Sequence, residues 1–300
     1  MVEFTRVLCP LDFSEPSSRA LKYAAAIARS YDSELVLQHV LPTAITFAWT
    51  PDIANQPALV VSPERALGAL RDQVAAAGAA DLRSRFIVHE GIEHEAITTL
   101  ARDEGADLLV IGTHGRRGFN RLFLGSVTEK VIRTAPCPVL TVPAAAAAVP
   151  PTPVRFKRIL CAMDYSPAAR RGLDYAFELG RQAGGEVTVM WVCEYSDPME
   201  PPPYVDAVVR AARQHILASA RERLHQLVGG EATTRCAIKE LVVLHPNRAA
   251  HAILEAASTL PADLIVMGAQ GSGGVELMLY GSNTHHVVRN ALCPVLTLRS

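Results

Sequence analysis

The 300-residue chain is short of most of the features that announce a function. Its charges cancel: 29 Lys and Arg against 30 Asp and Glu leave a formal net charge of −1, so no global field draws it to nucleic acid or to an anionic bilayer. No apolar run reaches the ~20 residues of a membrane span, and Met1-Val2-Glu3-Phe4-Thr5-Arg6 lacks the basic stretch and apolar core of a secretory leader. A cytoplasmic protein is expected. There are six cysteines and no C-x-x-C, which argues against a redox pair or a zinc site. Also missing are G-x-x-x-x-G-K-[ST], a G-x-G-x-x-G after the first strand, and a G-x-S-x-G elbow. These absences exclude a P-loop ATPase, a dinucleotide-binding fold and a serine hydrolase of that type. No nucleophile stands at a legible spacing from a base.

What is present is a duplication. Arg6-Val7-Leu8-Cys9 returns as Arg158-Ile159-Leu160-Cys161, and Asp12-Phe13-Ser14 as Asp164-Tyr165-Ser166, each 152 residues on. Towards the end Cys137-Pro138-Val139-Leu140-Thr141 returns as Cys293-Pro294-Val295-Leu296-Thr297, now 156 residues on, so the second copy carries a net insertion of four. Cys9, Cys161, Cys137 and Cys293 fall in or beside apolar strand segments and read as core thiols.

Each half alternates short apolar runs with amphipathic stretches. In the first, strands are expected at 6–10, 34–40, 85–89, 107–111 and 139–142, with helices near 17–30, 63–80, 95–104 and 127–134. In the second, strands are expected at 158–162, 186–192, 237–243, 263–267 and 295–298, with helices near 167–183, 204–228, 248–258 and 283–289. Such alternation predicts α/β architecture, two tandem doubly wound domains, each a five-stranded parallel sheet with helices on both faces. The proline-containing stretch 41–62 is long enough to be a lid or binding loop rather than a connector, and 194–203 is its shorter equivalent. Residues 1–143 and 154–300 are the expected domains, joined by an Ala/Pro spacer at 144–153 whose flanking prolines favour an extended form.

The element both halves are organised around is a glycine loop. Gly112-Thr113-His114-Gly115, nine residues, then Gly125-Ser126-Val127-Thr128 recurs as Gly268-Ala269-Gln270-Gly271, nine residues, then Gly281-Ser282-Asn283-Thr284. Each copy joins an apolar strand to a helix. Amides at a helix start, at the positive end of its dipole, stabilise a phosphate, and glycine lets the backbone come close. Tight turns alone also use such glycines.

The G-x2-G-x9-G-[ST] loop, the Asp after the first strand and the Cys-Pro-Val-Leu-Thr last strand together resemble the universal stress protein family, as two tandem domains spanning almost the whole chain. Residues 112–128 are similar to the motif of the family's ATP-binding branch. That resemblance implies an adenine nucleotide between the ends of the first and fourth strands, with Mg2+ held by the phosphates. It also implies pairing through the last strand, as an intrachain pseudo-dimer or a homodimer, and a role in stress adaptation. Residue by residue, it places Pro10 and Asp12 at the adenosine end and gives the adenine edge the backbone of Val40. Gly112 and Gly115 pass near ribose and phosphates, and Gly125, Ser126, Val127 and Thr128 hold the phosphates. The second half offers Asp164, Val192, Gly268, Gly271, Gly281, Ser282, Asn283 and Thr284, departing at Ala162 for Pro10 and at Asn283 for Val127.

Other residues divide the possibilities. Asp12 also fits a turn or cap role. Arg116, Arg117 and Arg121 lie inside the first loop, where Ser272, Gly273 and Leu277 stand in the second, so the first half is expected to bind ATP more tightly. His114 has Gln270 as its counterpart, which argues against a required catalytic histidine. His285 and His286, adjacent on a helix, point about 100° apart and do not suit one metal. A regulatory nucleotide-binding protein is therefore the expected function. A slow ATPase or ATP-using transferase, and an interaction protein with vestigial sites, are the alternatives; neither nucleic acid nor membrane is an expected partner.

Overall fold

The computed structural model describes residues 2–41, 62–113, 124–147, 150, 153–194, 206–229, 236–245, 248–270 and 281–299. The chain divides into two compact units, unit 1 over residues 3–154 and unit 2 over 155–300.

Unit 1 runs β1 (Arg6–Pro10), α1 (Glu15–Tyr31), β2 (Glu34–Leu41), α2 (Pro63–Ala76), β3 (Ser84–Glu90), α3 (Glu93–Asp103), β4 (Leu108–Gly112), α4 (Ser126–Thr134) and β5 (Val139–Val142). Its strands lie in the order β3-β2-β1-β4-β5, every neighbouring pair parallel. The central runs are apolar because helices cover both faces: Val7, Leu8 and Cys9 of β1 and Leu109 and Val110 of β4 have no exposed surface. Parallel pairing forces crossovers, and the order reverses between β1 and β4. Ligands bind beyond the carboxyl ends of such strands.

Unit 2 repeats the plan with β6 (Arg158–Met163), α5 (Pro167–Ala183), β7 (Glu186–Glu194), α6 (Asp206–Val228), β8 (Ala237–His245), α7 (Ala249–Thr259), β9 (Leu264–Gly268), α8 (Ser282–Asn290) and β10 (Val295–Leu298). Its strands are ordered β10-β9-β6-β7-β8, again parallel.

At the amino edge, opposite the expected site, each unit has one latch. In unit 1 the Asp107 carboxylate accepts from the amides of Thr5 at 2.8 Å and Arg6 at 2.9 Å. Asp263 accepts from those of Lys157 and Arg158, both at 3.0 Å. Both aspartates precede their strands, contrary to the expected strands at 107–111 and 263–267, because they tie the start of the first strand to the start of the fourth. Burial pushes the Asp263 carboxyl up, and its two amide bonds oppose the shift.

The start of the spacer, residues 143–146, forms a turn rather than an extended segment. Ala146 N–H donates to Pro143 O at 3.0 Å in a turn, Arg19 donates to Ala146 O, and Val154 N–H donates to Ser30 Oγ at 2.9 Å. Both segments therefore pack on α1. The arginine contact and the turn bond outweigh the preference of an isolated Ala/Pro stretch for extension.

Candidate nucleotide site

The carboxyl edge of unit 1 is built from three strand ends. Val7 pairs with Leu108 and Leu8 with Leu109, so the same register carried forward sets Leu11 level with Gly112. Buried Pro10 ends β1. Asp12 follows, half-buried, and its Oδ1 accepts from Ser14 N–H at 3.0 Å and Ser14 Oγ–H at 2.5 Å. Ser14 in turn caps α1, accepting from Ser17 N–H at 3.3 Å. The turn-and-cap role open for Asp12 in the sequence is thus realised for one of its oxygens.

Val40 is the penultimate residue of β2. Gln38 O accepts from Leu11 N–H at 2.7 Å, so Gln38 directs its backbone towards β1. Alternation directs the N–H and C=O of Val40 the same way, past the point where β1 has ended. Among the described residues, that leaves a donor and an acceptor side by side at the strand edge, the pair an adenine edge requires.

Gly112 is required for packing as well as for a turn: a Cβ there would lie 2.9 Å from Pro16 O and 3.0 Å from Pro16 C. Gly125 N–H donates to Thr113 O at 2.8 Å and closes the loop. Thr128 is buried and its hydroxyl donates to Gly112 O at 2.8 Å, so it holds the loop shut, and only its amide is left for a phosphate. The helix α4 starts at Gly125 with no side-chain cap, unlike α1. Ser126 is exposed and Val127 half-buried. Gly115, His114, Arg116, Arg117 and Arg121 lie outside the described residues, as does most of 41–62.

Unit 2 reproduces this frame. Asp164 Oδ1 accepts from Ser166 N–H at 3.0 Å and Ser166 Oγ–H at 2.6 Å. Thr284 Oγ1–H donates to Gly268 O at 2.9 Å, and α8 starts uncapped at Gly281 beside exposed Ser282. A Cβ on Gly268 would lie 3.1 Å from both Ala168 Cβ and Ala169 N. Asn283 differs from Val127 in bridging to the start of α7: Oδ1 accepts from Ala250 N–H at 3.2 Å. Val192 is half-buried in β7, and Gly271 and most of 194–203 lie outside the described residues.

Sequence reasoning missed the aromatic residues at both edges. Phe13 and Tyr165 each have φ near 63°, a left-handed backbone that bulky residues avoid. Phe13 packs against His39, ring centroids 4.5 Å apart, and His39 Nδ1 lies 2.6 Å from Leu11 O. Tyr165 meets Trp191 edge-on at 4.8 Å, and the Arg223 guanidinium from α6 stands 4.0 Å from the tyrosine ring centroid. Burial pushes the Tyr165 phenol up and nearby Arg223 opposes it. The recurring Asp-aromatic-Ser triplet was the available signal.

All six thiols are free. His286 meets His251 edge-on at 4.8 Å, and among the described residues no group of three His, Cys, Asp or Glu side chains is placed to hold a metal. No described helix is long and apolar enough to cross a membrane.

Comparison with known proteins points to one family. The universal stress protein MJ0577 of Methanocaldococcus jannaschii is 30% identical over 155 residues, 47% of this chain and 96% of that protein. A universal stress protein of Mycolicibacterium smegmatis is 25% identical over 297 residues, 98% of this chain and 96% of its own. Among solved structures, a universal stress protein from Archaeoglobus fulgidus superposes with a TM-score of 0.66 at 23% identity, covering 98% of each chain, and shares the fold. The universal stress protein family model matches residues 3–143 and again 155–299. The chain therefore belongs to the universal stress protein family, carrying its domain twice in tandem.

Proposed function

We propose that unit 1 binds ATP, with Mg2+ held by the phosphates, and that the protein works as a nucleotide-dependent regulator in stress adaptation rather than as an enzyme. The observation that carries this reading is the start of α4. Its first amides carry no side-chain cap, and it begins where the order of the strands reverses. Uncapped amides at a helix start suit an anion, and the backbone of Val40 supplies a donor and an acceptor for the base. The resemblance of residues 112–128 to the ATP-binding branch of the family points the same way. Pro10, Asp12, Gly112, Gly115, Arg116 and Arg117 complete the proposed site, and Asp164, Val192, Gly268, Gly271 and 281–284 its counterpart.

Calorimetric titration of ATP into the full chain and into Gly125→Val tests this. Gly125 has φ −60° and ψ 133°, a backbone that valine adopts without strain, so the variant adds bulk at the helix start without demanding a new backbone conformation. ATP should bind at least about tenfold more weakly to the variant, ~1.4 kcal/mol. Unchanged affinity overturns the assignment. Turnover faster than about one ATP per second, in the usual enzyme range, would instead favour the ATPase or transferase reading.

The same reading includes an intrachain pseudo-dimer formed through the last strands, β5 and β10. A bare Val/Leu/Thr edge invites association. Residues 1–150 expressed alone should therefore self-associate in sedimentation velocity, and a well-behaved monomer counts against the pairing.

A further inference from the structure

Unit 2 contains an anion of its own beside its proposed phosphate loop. Glu194, the last residue of β7, places Oε1 2.5 Å from Ala249 N and 3.4 Å from Asn283 Nδ2. Asn283 Oδ1 accepts from Ala250 N–H at 3.2 Å. The helix α7 has no cap from its own Arg248, and the carboxylate from the neighbouring strand end supplies one, as the helix dipole favours. The side chain of Asn283, in the first turn of α8, is thereby tied between the α7 amide and this carboxylate. Although exposed to solvent on one side, Glu194 is held at two donors.

The sequence of unit 1 differs at both matched positions. The common register of Arg6 with Glu34 and Arg158 with Glu186 matches Glu194 to Pro42, and the glycine loops match Asn283 to Val127. Neither counterpart carries a charge or a hydrogen-bonding side chain.

We infer that Glu194 is a selectivity residue that bars a triphosphate from unit 2, making the protein a one-ATP chain despite two copies of the loop. This rests on the nucleotide-binding reading of unit 1. A phosphate at the start of α8 would meet a fixed carboxylate within a few ångströms of Asn283, and like charges that close repel through little intervening water. The uncapped amides of α8 still favour an anion, but against the carboxylate held at Asn283.

Binding of Mg-ATP by the full chain, by equilibrium dialysis and calorimetry, decides it. The wild type should bind one ATP per chain. Glu194→Gln keeps the shape and the acceptor for Ala249 but removes the charge. Asn283→Val restores the residue of unit 1 and releases the carboxylate from α8. Each should gain a second equivalent, or strengthen unit 2 by about tenfold, and the gain should persist when Gly125→Val disables unit 1. Adenosine, which has no phosphate, should gain nothing. One ATP per chain in the wild type and in both variants overturns the role of Glu194 and leaves unit 1 standing. Two equal sites in the wild type overturn it too, and an equal gain for adenosine shows that volume rather than charge is at work. No ATP bound by any of the proteins removes the nucleotide reading itself, and this inference with it.

Discussion

The two units keep the same skeleton and differ in what that skeleton displays. The Asp–Ser turn, the threonine hydroxyl on the strand-end glycine and the left-handed aromatic recur with distances that agree to about 0.1 Å and the same φ. The groups around them diverge: Phe13 meets a histidine where Tyr165 meets a tryptophan and an arginine, and Val127 is replaced by a hydrogen-bonded asparagine. Hydrogen bonds that shape the backbone tolerate little change, since a lost partner leaves a buried polar group unsatisfied. Side chains that face a ligand are freer, so duplication lets one frame carry two specificities.

Substitutions of the strand-end glycines break the likeness most sharply. Gly112→Ala sets a methyl against the Pro16 carbonyl, 2.9 Å away, whereas Gly268→Ala meets its neighbours at 3.1–3.2 Å. Overpacking against backbone costs about 1–3 kcal/mol, with unit 1 expected to suffer more. Urea denaturation of each full-length variant measures it, and equal losses would show that α1 gives way as readily as α5.

A pH series sharpens the comparison at the core. Cys9 and Cys161 are fully buried at matched positions, and burial holds both thiols far up, Cys161 to about 12. An unfolded thiol ionises near 8.5. Above that pH the unfolded chain sheds a proton that the folded chain keeps, so this contribution is intact below pH 8.5 and is lost progressively towards pH 12. Each thiol costs about 1.4 kcal/mol per pH unit in that window. Denaturation midpoints at pH 8, 9 and 10 should fall, and Cys9→Ala or Cys161→Ala should flatten the slope by the same amount. A flat profile in the wild type would contradict the burial of both.

The smallest expected difference lies between α7 and α8. His286 is pushed down by burial, then by repulsion from His251, Arg289, Arg248 and His285. Its folded form takes up a proton less readily than the unfolded one, so stability is full at neutral pH and is lost as pH falls below about 6.5. Unit 1 has Glu95 and Lys130 at the matched positions, a pair of opposite charge. Partial exposure keeps the effect under about 1 kcal/mol. The double variant His251→Glu with His286→Lys should remove the dip at pH 5–6, and a persisting dip assigns it to other groups.

The sequence carried the succession of strands and helices because apolar runs and glycine turns are local signals, repeated here at a fixed offset. Helix starts were legible to a residue or two: α1 begins at Glu15 rather than 17 because Ser14 caps it and Pro16 suits a first turn. Gly112 read as a ligand-approach glycine, yet Pro16, nearly a hundred residues earlier, also demands it. Thr128 read as a phosphate donor, whereas its hydroxyl is committed to Gly112 O. Glu194 and Arg223 carried no local signal at all. Their roles depend on which segments fold over the strand ends, and periodicity reports burial, not those meetings.

The Asp107 latch also sets a clock. It joins Arg6 to a residue 101 positions later, and β1 is central in its sheet, so one side of it has no partner until β4 has been made. At about 5–20 residues per second, a nascent chain presents that apolar edge for roughly 5–20 s before synthesis reaches Asp107. Unit 2 repeats the wait, with its own first and fourth strands just as far apart, 105 positions from Arg158 to Asp263. Each chain thus leaves the ribosome after two separate intervals in which a strand edge is open to wrong pairing. The burden on chaperones comes from topology, and it falls twice per molecule whatever either unit binds.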